Sequence, residues 1–176
     1  RKHTGAHPRM GATDVCPFVP VSGVTMEECA ALARELGKRV GEELGIPVYL
    51  YEYAAATEER RNLANVRAGE YEGLEKKLTD PKWKPDFGPA EFNAKTGATV
   101  IGARKFLIAY NVNLNTRDRK LANDIAFSIR EAGRAKRDEN GAFVRDGNGE
   151  KVNVPGTLKA CKAVGWYIPE YKRAQV

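Results

Sequence analysis

The chain has 176 residues, of which 42% are hydrophobic and 30% charged, a composition that is ordinary for a globular protein and excludes intrinsic disorder. No apolar run approaches the roughly 20 residues that cross a bilayer, and the first residues lack the apolar stretch of a signal peptide, so we expect a cytoplasmic location and no membrane partner. The net charge of +6 predicts attraction to anions, which could be nucleic acid, an acidic membrane or an anionic small molecule. Three cysteines at scattered spacings fit neither a disulfide framework nor a zinc site.

The first part of the chain predicts a β-α-β unit. Residues 10–21 alternate as a half-buried strand does, and Pro17 places that strand at a sheet edge because proline cannot donate a ladder hydrogen bond. Thr25 and Glu28 form the capping box of a helix whose apolar residues recur at helical spacing until a glycine ends it. Residues 46–51 are β-branched and aromatic, and they predict a short buried strand.

A weaker helix and a long loop follow. Residues 57–68 have only a thin apolar stripe among arginines, which is typical of a marginal helix. Residues 80–97 contain three prolines and two glycines mixed with aromatic side chains, which predicts a structured loop. Loops of this length inside compact domains usually carry function.

The second part of the chain repeats the strand-to-helix order. Residues 98–114 give the strongest strand pattern in the chain, and residues 116–132 predict a helix that a glycine ends. Residues 140–155 predict a polar hairpin that turns at residues 146–149, and residues 158–167 predict a strand that returns to the second sheet.

These elements predict an α/β (α+β) fold with two subdomains, each a mixed β-sheet layered with helices as a two-layer sandwich. We expect the boundary near Gly97, which gives the subdomains 1–97 and 98–176.

Two histidines, His3 and His7, lie in one short loop at the start of the chain. Histidine is the side chain whose ordinary pKa lies closest to neutral, which suits it to proton transfer. Pro8 biases His7 toward an extended backbone, and Arg9 beside it suits carboxylates. A single loop histidine is more often a surface group than a catalytic one, so these residues alone leave both interpretations open.

A second group of candidates combines lysines with aromatic side chains. Its members are Lys76, Lys77, Lys82, Lys84, Lys95, Trp83, Phe87 and Phe92. Such a group can hold a flat heterocycle with an anionic tail, or single-stranded nucleic acid, or it can be a solvated loop whose aromatics cover the core. No P-loop, dinucleotide fingerprint or zinc motif occurs, which argues against nucleotide hydrolases, dinucleotide enzymes and zinc enzymes.

One long segment resembles a known family. GAHPRMGATDVCPFVPVSGVTMEEC is similar to the segment around the catalytic histidine of glutamate formimidoyltransferases. The resemblance continues through GIPVYLY, VRAGEYEGL, PDFGP, GATVIGARKFLIAYNVNL and VGWYIPE, so it covers nearly the whole chain apart from residues 138–156. The same domain forms the transferase half of bifunctional formimidoyltransferase-cyclodeaminases.

The resemblance implies that the chain is a fragment that lacks the start and the end of that domain. Residues 1–97 would be the second part of the N-terminal formiminotransferase subdomain, with the catalytic loop, and residues 98–176 the first part of the C-terminal subdomain. The family holds folate in an electropositive tunnel between its two subdomains, so the same tunnel is expected here.

The implied reaction transfers a formimidoyl group from N-formimidoyl-L-glutamate to N5 of tetrahydrofolate in histidine degradation, a part of one-carbon metabolism. The family's catalytic histidine falls on His7, a proton shuttle. Arg9 is a candidate binder of a glutamate carboxylate or a structural ion pair. Asp14 is a candidate partner of the imidazole or of the cationic amidine, or a cap of a strand end.

The resemblance also implies a folate-binding stretch, which consists of Gly88, Pro89, Ala90, Glu91, Phe92, Asn93, Ala94, Lys95, Thr96 and Gly97. Folylpolyglutamate is the expected co-substrate, and neither a metal nor a nucleic acid is expected. The protein is expected to be a homodimer. Two alternatives stay open, a basic nucleic-acid-binding module and a folate-binding fragment without catalysis.

Overall fold

The computed structural model describes residues 8–176, so His7, the predicted catalytic residue, lies outside the described residues. The chain forms two compact units that divide between Leu107 and Ile108. This division lies about ten residues beyond the boundary predicted near Gly97, because the strand that follows Gly97 belongs to the first unit.

In its described residues, 8–107, the first unit contains three strands and four helices of one turn or more. In chain order they are β1 (Val15–Phe18), α1 (Met26–Leu44), β2 (Val48–Glu52), α2 (Glu58–Arg61), α3 (Leu63–Arg67), α4 (Leu74–Leu78) and β3 (Thr99–Ala103), with a short 3-10 helix (Pro81–Trp83) before β3.

The three strands form a parallel sheet in the order β1-β3-β2. Within residues 8–176, β1 is therefore an edge strand, as the proline at position 17 predicts. The prediction of one strand over residues 98–114 was wrong, since β3 ends at Ala103. The ladder stops there because both partner strands end opposite that residue, at Phe18 and at Glu52.

Helix α1 forms as its sequence predicts. The Thr25 hydroxyl accepts from the Glu28 N–H at 3.2 Å, and the Glu28 carboxylate accepts from the Thr25 N–H at 2.7 Å, which completes the capping box. Gly45 ends the helix in the left-handed conformation. The buried face of α1 consists of small residues that allow it to approach the sheet closely, namely Cys29, Ala30, Ala33, Gly37 and Gly41.

The helix predicted over residues 57–68 is broken in two. Asn62 has an extended backbone, and its side-chain oxygen accepts from the Ala64 N–H at 3.0 Å, which caps α3. Asparagine competes with the helical backbone in this way and favours a cap over a helix interior.

Helices cover both faces of the first sheet, where the sequence predicted only two layers. Tyr49 and Tyr51 of β2 face a cluster with Val66, Leu74 and other residues beneath the short helices. The alternate residues of β2 face a second cluster beneath α1. The sequence of a parallel strand that is buried on both faces is a nearly continuous apolar run, and the sequences of β2 and β3 have this character.

The second unit has one helix and two small antiparallel sheets, which with the parallel sheet confirms the α/β (α+β) fold class. Its elements are α5 (Arg119–Ile129), β4 (Arg134–Ala135), β5 (Asn153–Val154), β6 (Trp166–Ile168) and β7 (Arg173–Gln175). Strand β4 pairs with β5 and β6 pairs with β7. Across residues 8–176, no helix is both long and apolar enough to span a membrane.

A polar ribbon, residues 134–154, connects β4 to β5. The predicted turn at residues 146–149 is confirmed, since Asp146 accepts from the backbone N–H groups of Asn148 and Glu150. A second turn of the same kind occurs at residues 138–141.

Candidate functional site

The segment that directly follows His7 lies against the end of the predicted folate-binding stretch. The Ala12 N–H donates to the Thr96 carbonyl at 2.9 Å, and the Ala98 N–H donates to the Met10 carbonyl at 3.2 Å. Gly11 and Gly97 form an antiparallel bridge between these two bonds. Two stretches separated by more than 80 residues in the sequence are thereby held side by side.

Gly97 is required for this contact. Its φ angle is +65°, and a Cβ atom at this position would lie 2.3 Å from the Met10 carbonyl oxygen and 2.7 Å from the Gly11 Cα. Any side chain here would be strained by the left-handed backbone and would also collide with the opposite strand.

We expect Gly97→Ala to destabilise the first unit more than Gly23→Ala does, by about 2 kcal/mol. Gly23 is a matched control because its φ is +66° and no atom lies within 4 Å of a Cβ added there. Both variants place an alanine in the left-handed backbone conformation, which is unfavourable to the same degree in the two. Only Gly97→Ala also pushes the segment after His7 away from the stretch that ends at Gly97. Urea unfolding of the two variants measures the difference, and equal free energies of unfolding would contradict the close contact.

Arg9, predicted to bind a carboxylate, is paired within the protein. Its guanidinium contacts the carboxylates of Glu70, at 3.1 Å, and of Glu72. The hydrogen bond to Glu72 raises the pKa of Arg9. The same guanidinium lies 5.9 Å from the ring centroid of Tyr71, whose hydroxyl donates to the Ala94 carbonyl at 2.7 Å. Arg9 therefore joins the loop after His7 to the predicted folate-binding stretch, and its role toward substrate stays a prediction.

Asp14 closes the turn that leads into β1. One carboxylate oxygen accepts from the Met10 N–H at 2.8 Å, and the other forms an ion pair with Arg67 of α3. The side chains of this pair are 20% and 17% exposed, so both are mostly removed from water. Asp14 fixes the shape of the segment after His7, and its predicted contact with imidazole or amidine stays a prediction.

Asp86 attaches the long loop to α2 by a buried ion pair and to the sheet by a hydrogen bond. Asp86 lies 2.8 Å from the Arg60 guanidinium, with side chains 11% and 10% exposed. The other oxygen of Asp86 accepts from the Leu50 N–H at 2.8 Å, and Arg60 also donates to the carbonyls of Lys82 and Lys84. One arginine and one aspartate thus fix the first half of the loop.

The predicted group of lysines and aromatics does not form one binding surface. Phe87 packs under α1, whereas Trp83 and Phe92 pack on the opposite face of the sheet. The Lys77 ammonium lies 3.9 Å from the Trp83 ring centroid and donates to three backbone carbonyls, and burial lowers its pKa to about 8. Three interpretations of this group were open from the sequence. These contacts agree with the third, a loop whose aromatic side chains cover the core. The described residues contain no group of three or more His, Cys, Asp and Glu side chains that could hold a metal.

Four residues of this site were not assigned a role from the sequence. They are Arg67, Glu70, Tyr71 and Glu72, the residues that contact Arg9 or Asp14. All four belong to the segment VRAGEYEGL, which is part of the resemblance to the family. The resemblance could therefore have pointed to these residues, whereas composition and periodicity could not.

Comparisons with known proteins agree with the two units. The model for the formiminotransferase domain, N-terminal subdomain, matches residues 1–104, and the model for the formiminotransferase domain matches residues 109–176. A formimidoyltransferase-cyclodeaminase of Dictyostelium discoideum is 53% identical over 99% of this chain and 29% of that protein. A glutamate formimidoyltransferase of Streptococcus pyogenes serotype M1 is 42% identical over 99% of this chain and 51% of that protein.

These matches define a protein built from formiminotransferase subdomains. The chain belongs to the formiminotransferase domain family. It spans less than a third of the Dictyostelium relative and about half of the Streptococcus relative.

Proposed function

We propose that the chain acts in the transfer of a formimidoyl group from N-formimidoyl-L-glutamate to N5 of tetrahydrofolate, which yields 5-formimidoyltetrahydrofolate and glutamate. The main support for the proposal is the backbone contact between the segment after His7 and residues 96–98. It supports the proposal because the transfer needs a proton-transfer group beside the bound folate. Family membership and the printed names of the relatives support the same reaction.

The proposed chemistry needs one group that accepts a proton and then returns it. N5 attacks the amidine carbon of the donor, and the new C–N bond gives a tetrahedral intermediate. N5 then loses its proton to the His7 imidazole, which passes a proton to the departing glutamate nitrogen as the old C–N bond breaks. An imidazole with an ordinary pKa near 6.5 can serve as base and then as acid.

The remaining acceleration comes from holding both substrates together, which requires no further reactive side chain. Both substrates are anions, and the net charge of +6 favours their approach. The proposed setting is histidine degradation, with folylpolyglutamate as the co-substrate. The homodimer, the cytoplasmic location and the tunnel stay predictions.

We expect the purified protein to convert tetrahydrofolate to 5-formimidoyltetrahydrofolate when N-formimidoyl-L-glutamate is added, and not when the donor is omitted. Product formation is measured by absorbance or mass spectrometry, and binding of monoglutamyl tetrahydrofolate by calorimetry. Saturable folate binding without turnover would favour the non-catalytic alternative. Salt-dependent binding of an oligonucleotide without folate binding would favour a nucleic-acid-binding module instead.

A further inference from the structure

A buried lysine of α4 fixes the end of α3. Lys77 is only 9% exposed. Its ammonium donates to three backbone carbonyls, those of Asn65 at 3.2 Å, Val66 at 2.6 Å and Ala68 at 3.1 Å. The end of a helix leaves carbonyls without partners inside the helix, and an ammonium has three N–H donors to offer them. All three donors of Lys77 are therefore used to hold this one short stretch of backbone.

The stretch that Lys77 holds carries an ion pair to the segment after His7. Arg67, the last residue of α3, pairs with Asp14, and the other oxygen of that carboxylate accepts from the Met10 N–H at 2.8 Å. If the end of α3 moved, the Arg67 guanidinium would move with it, and Asp14 would have to follow or lose its partner. The contact at Lys77 thus extends through two side chains to the backbone of Met10.

The turn after α3 holds the same segment at a second point. Glu70 and Glu72 lie in this turn, and their carboxylates contact the Arg9 guanidinium. The Glu70 N–H donates to the Arg67 carbonyl at 2.8 Å, so the turn is continuous with the end of the helix. Glu70 also has a φ angle of +53°, which is unfavourable for a residue other than glycine. Such a backbone keeps its shape only where the surrounding contacts hold it.

We infer that Lys77 is a positioning residue for the proposed proton shuttle, because it fixes the turn that holds the segment after His7 against the stretch that ends at Gly97. Its ammonium is already bonded to three carbonyls, so it acts through Arg67 and the turn and does not touch substrate. The effect on turnover rests on the proposed function. The effect on the order of the segment requires no activity.

The first test separates positioning from binding. Lys77→Met removes the ammonium and keeps a long unbranched side chain. We expect kcat to fall about tenfold, because a small misplacement of a reacting group is costly, while the dissociation constant for tetrahydrofolate changes less than about twofold. Lys76→Met is the matched control, since Lys76 is the exposed neighbour on the same helix, and we expect it to keep its kcat.

Unchanged kcat in Lys77→Met, or a loss of folate affinity as large as the loss of kcat, would overturn the inference. Lys77→Gln is a milder second variant in case Lys77→Met does not fold. Its amide has two N–H donors for the three carbonyls, so we expect a smaller fall in kcat, again without a matching loss of folate affinity. Full activity in Lys77→Gln together with a folded, fully active Lys77→Met would exclude a positioning role.

Hydrogen exchange tests the same inference without turnover. The Ala12 N–H donates to the Thr96 carbonyl, so its exchange rate reports how often the segment after His7 leaves the stretch that ends at Gly97. In Lys77→Met we expect this amide to exchange about tenfold faster, while the amides of α1 keep their rates. A uniform increase across the first unit, or no increase at Ala12, would overturn the inference. If the unmodified protein shows no transfer, the proposed function fails, and the exchange rates still decide the role of Lys77.

Discussion

His7→Ala is expected to lower turnover by about 10²–10⁴, because proton transfer by a positioned side chain typically contributes that factor. Folate affinity should change little, since the imidazole acts on the proton of N5 and not on the binding of the pterin. The measurement is kcat in the transfer assay together with the dissociation constant for tetrahydrofolate. Retention of full activity would remove His7 from the mechanism.

His3→Ala is the matched control, since the chain has only two histidines and both lie within its first seven residues. We expect the control to keep its activity. A pH profile adds an independent readout, because loss of the shuttle should remove the inflection near neutral pH that an imidazole produces. Equal loss of activity in both variants would indicate damage to the loop rather than loss of a proton-transfer group.

Asp86→Asn is expected to destabilise the first unit by about 3–5 kcal/mol, because removal of one partner of a buried ion pair leaves the other charge unpaired. The Arg60 guanidinium would stay beneath the loop with its carboxylate partner gone. Urea unfolding measures the change. The chain has two tryptophans, so a Trp166→Phe background leaves Trp83, whose backbone carbonyl accepts from the Tyr49 hydroxyl, as the fluorescent reporter of the first unit.

Glu59→Gln supplies the matched comparison. Glu59 forms an ion pair with Lys82 at 3.0 Å, with side chains 43% and 63% exposed, and such a surface pair contributes about 1 kcal/mol or less. The same change from acid to amide is therefore expected to have a large effect at the buried pair and a small effect at the exposed one. Similar effects at both positions would contradict the burial of Asp86.

The sequence correctly predicted the caps and turns that are formed by residues close to one another in the chain. The capping box at Thr25 and Glu28, the glycine that ends α1 and the Asp-Gly turn of the ribbon depend on neighbouring residues, and all three are confirmed. The end of β3 could not be predicted, since residues 104–114 continue the alternating pattern. Strand length there depends on where β1 and β2 stop, and those partners are distant in the sequence.

Some features of the candidate site could be predicted from the sequence and others could not. The resemblance identified the loop with His7 and the stretch that ends at Gly97, and the described part of that loop does lie against the stretch. Periodicity and composition could not have shown this, because the contact depends on a left-handed glycine 86 residues after Gly11. The grouping of lysines and aromatics failed because proximity in sequence does not reveal that a sheet separates Phe87 from Trp83.

The central position of β3 has a consequence for the synthesis of the protein. Val15 of β1 pairs with Val100, about 85 residues later, so among the strands of residues 8–176 the two outer ones have no shared partner until the ribosome has made residues 99–103. A nascent chain that stops before Thr99 would expose unpaired strands and the apolar face of α1, which favours aggregation or chaperone binding. Productive folding of the first unit is therefore expected to begin only after residues 99–103 have been translated.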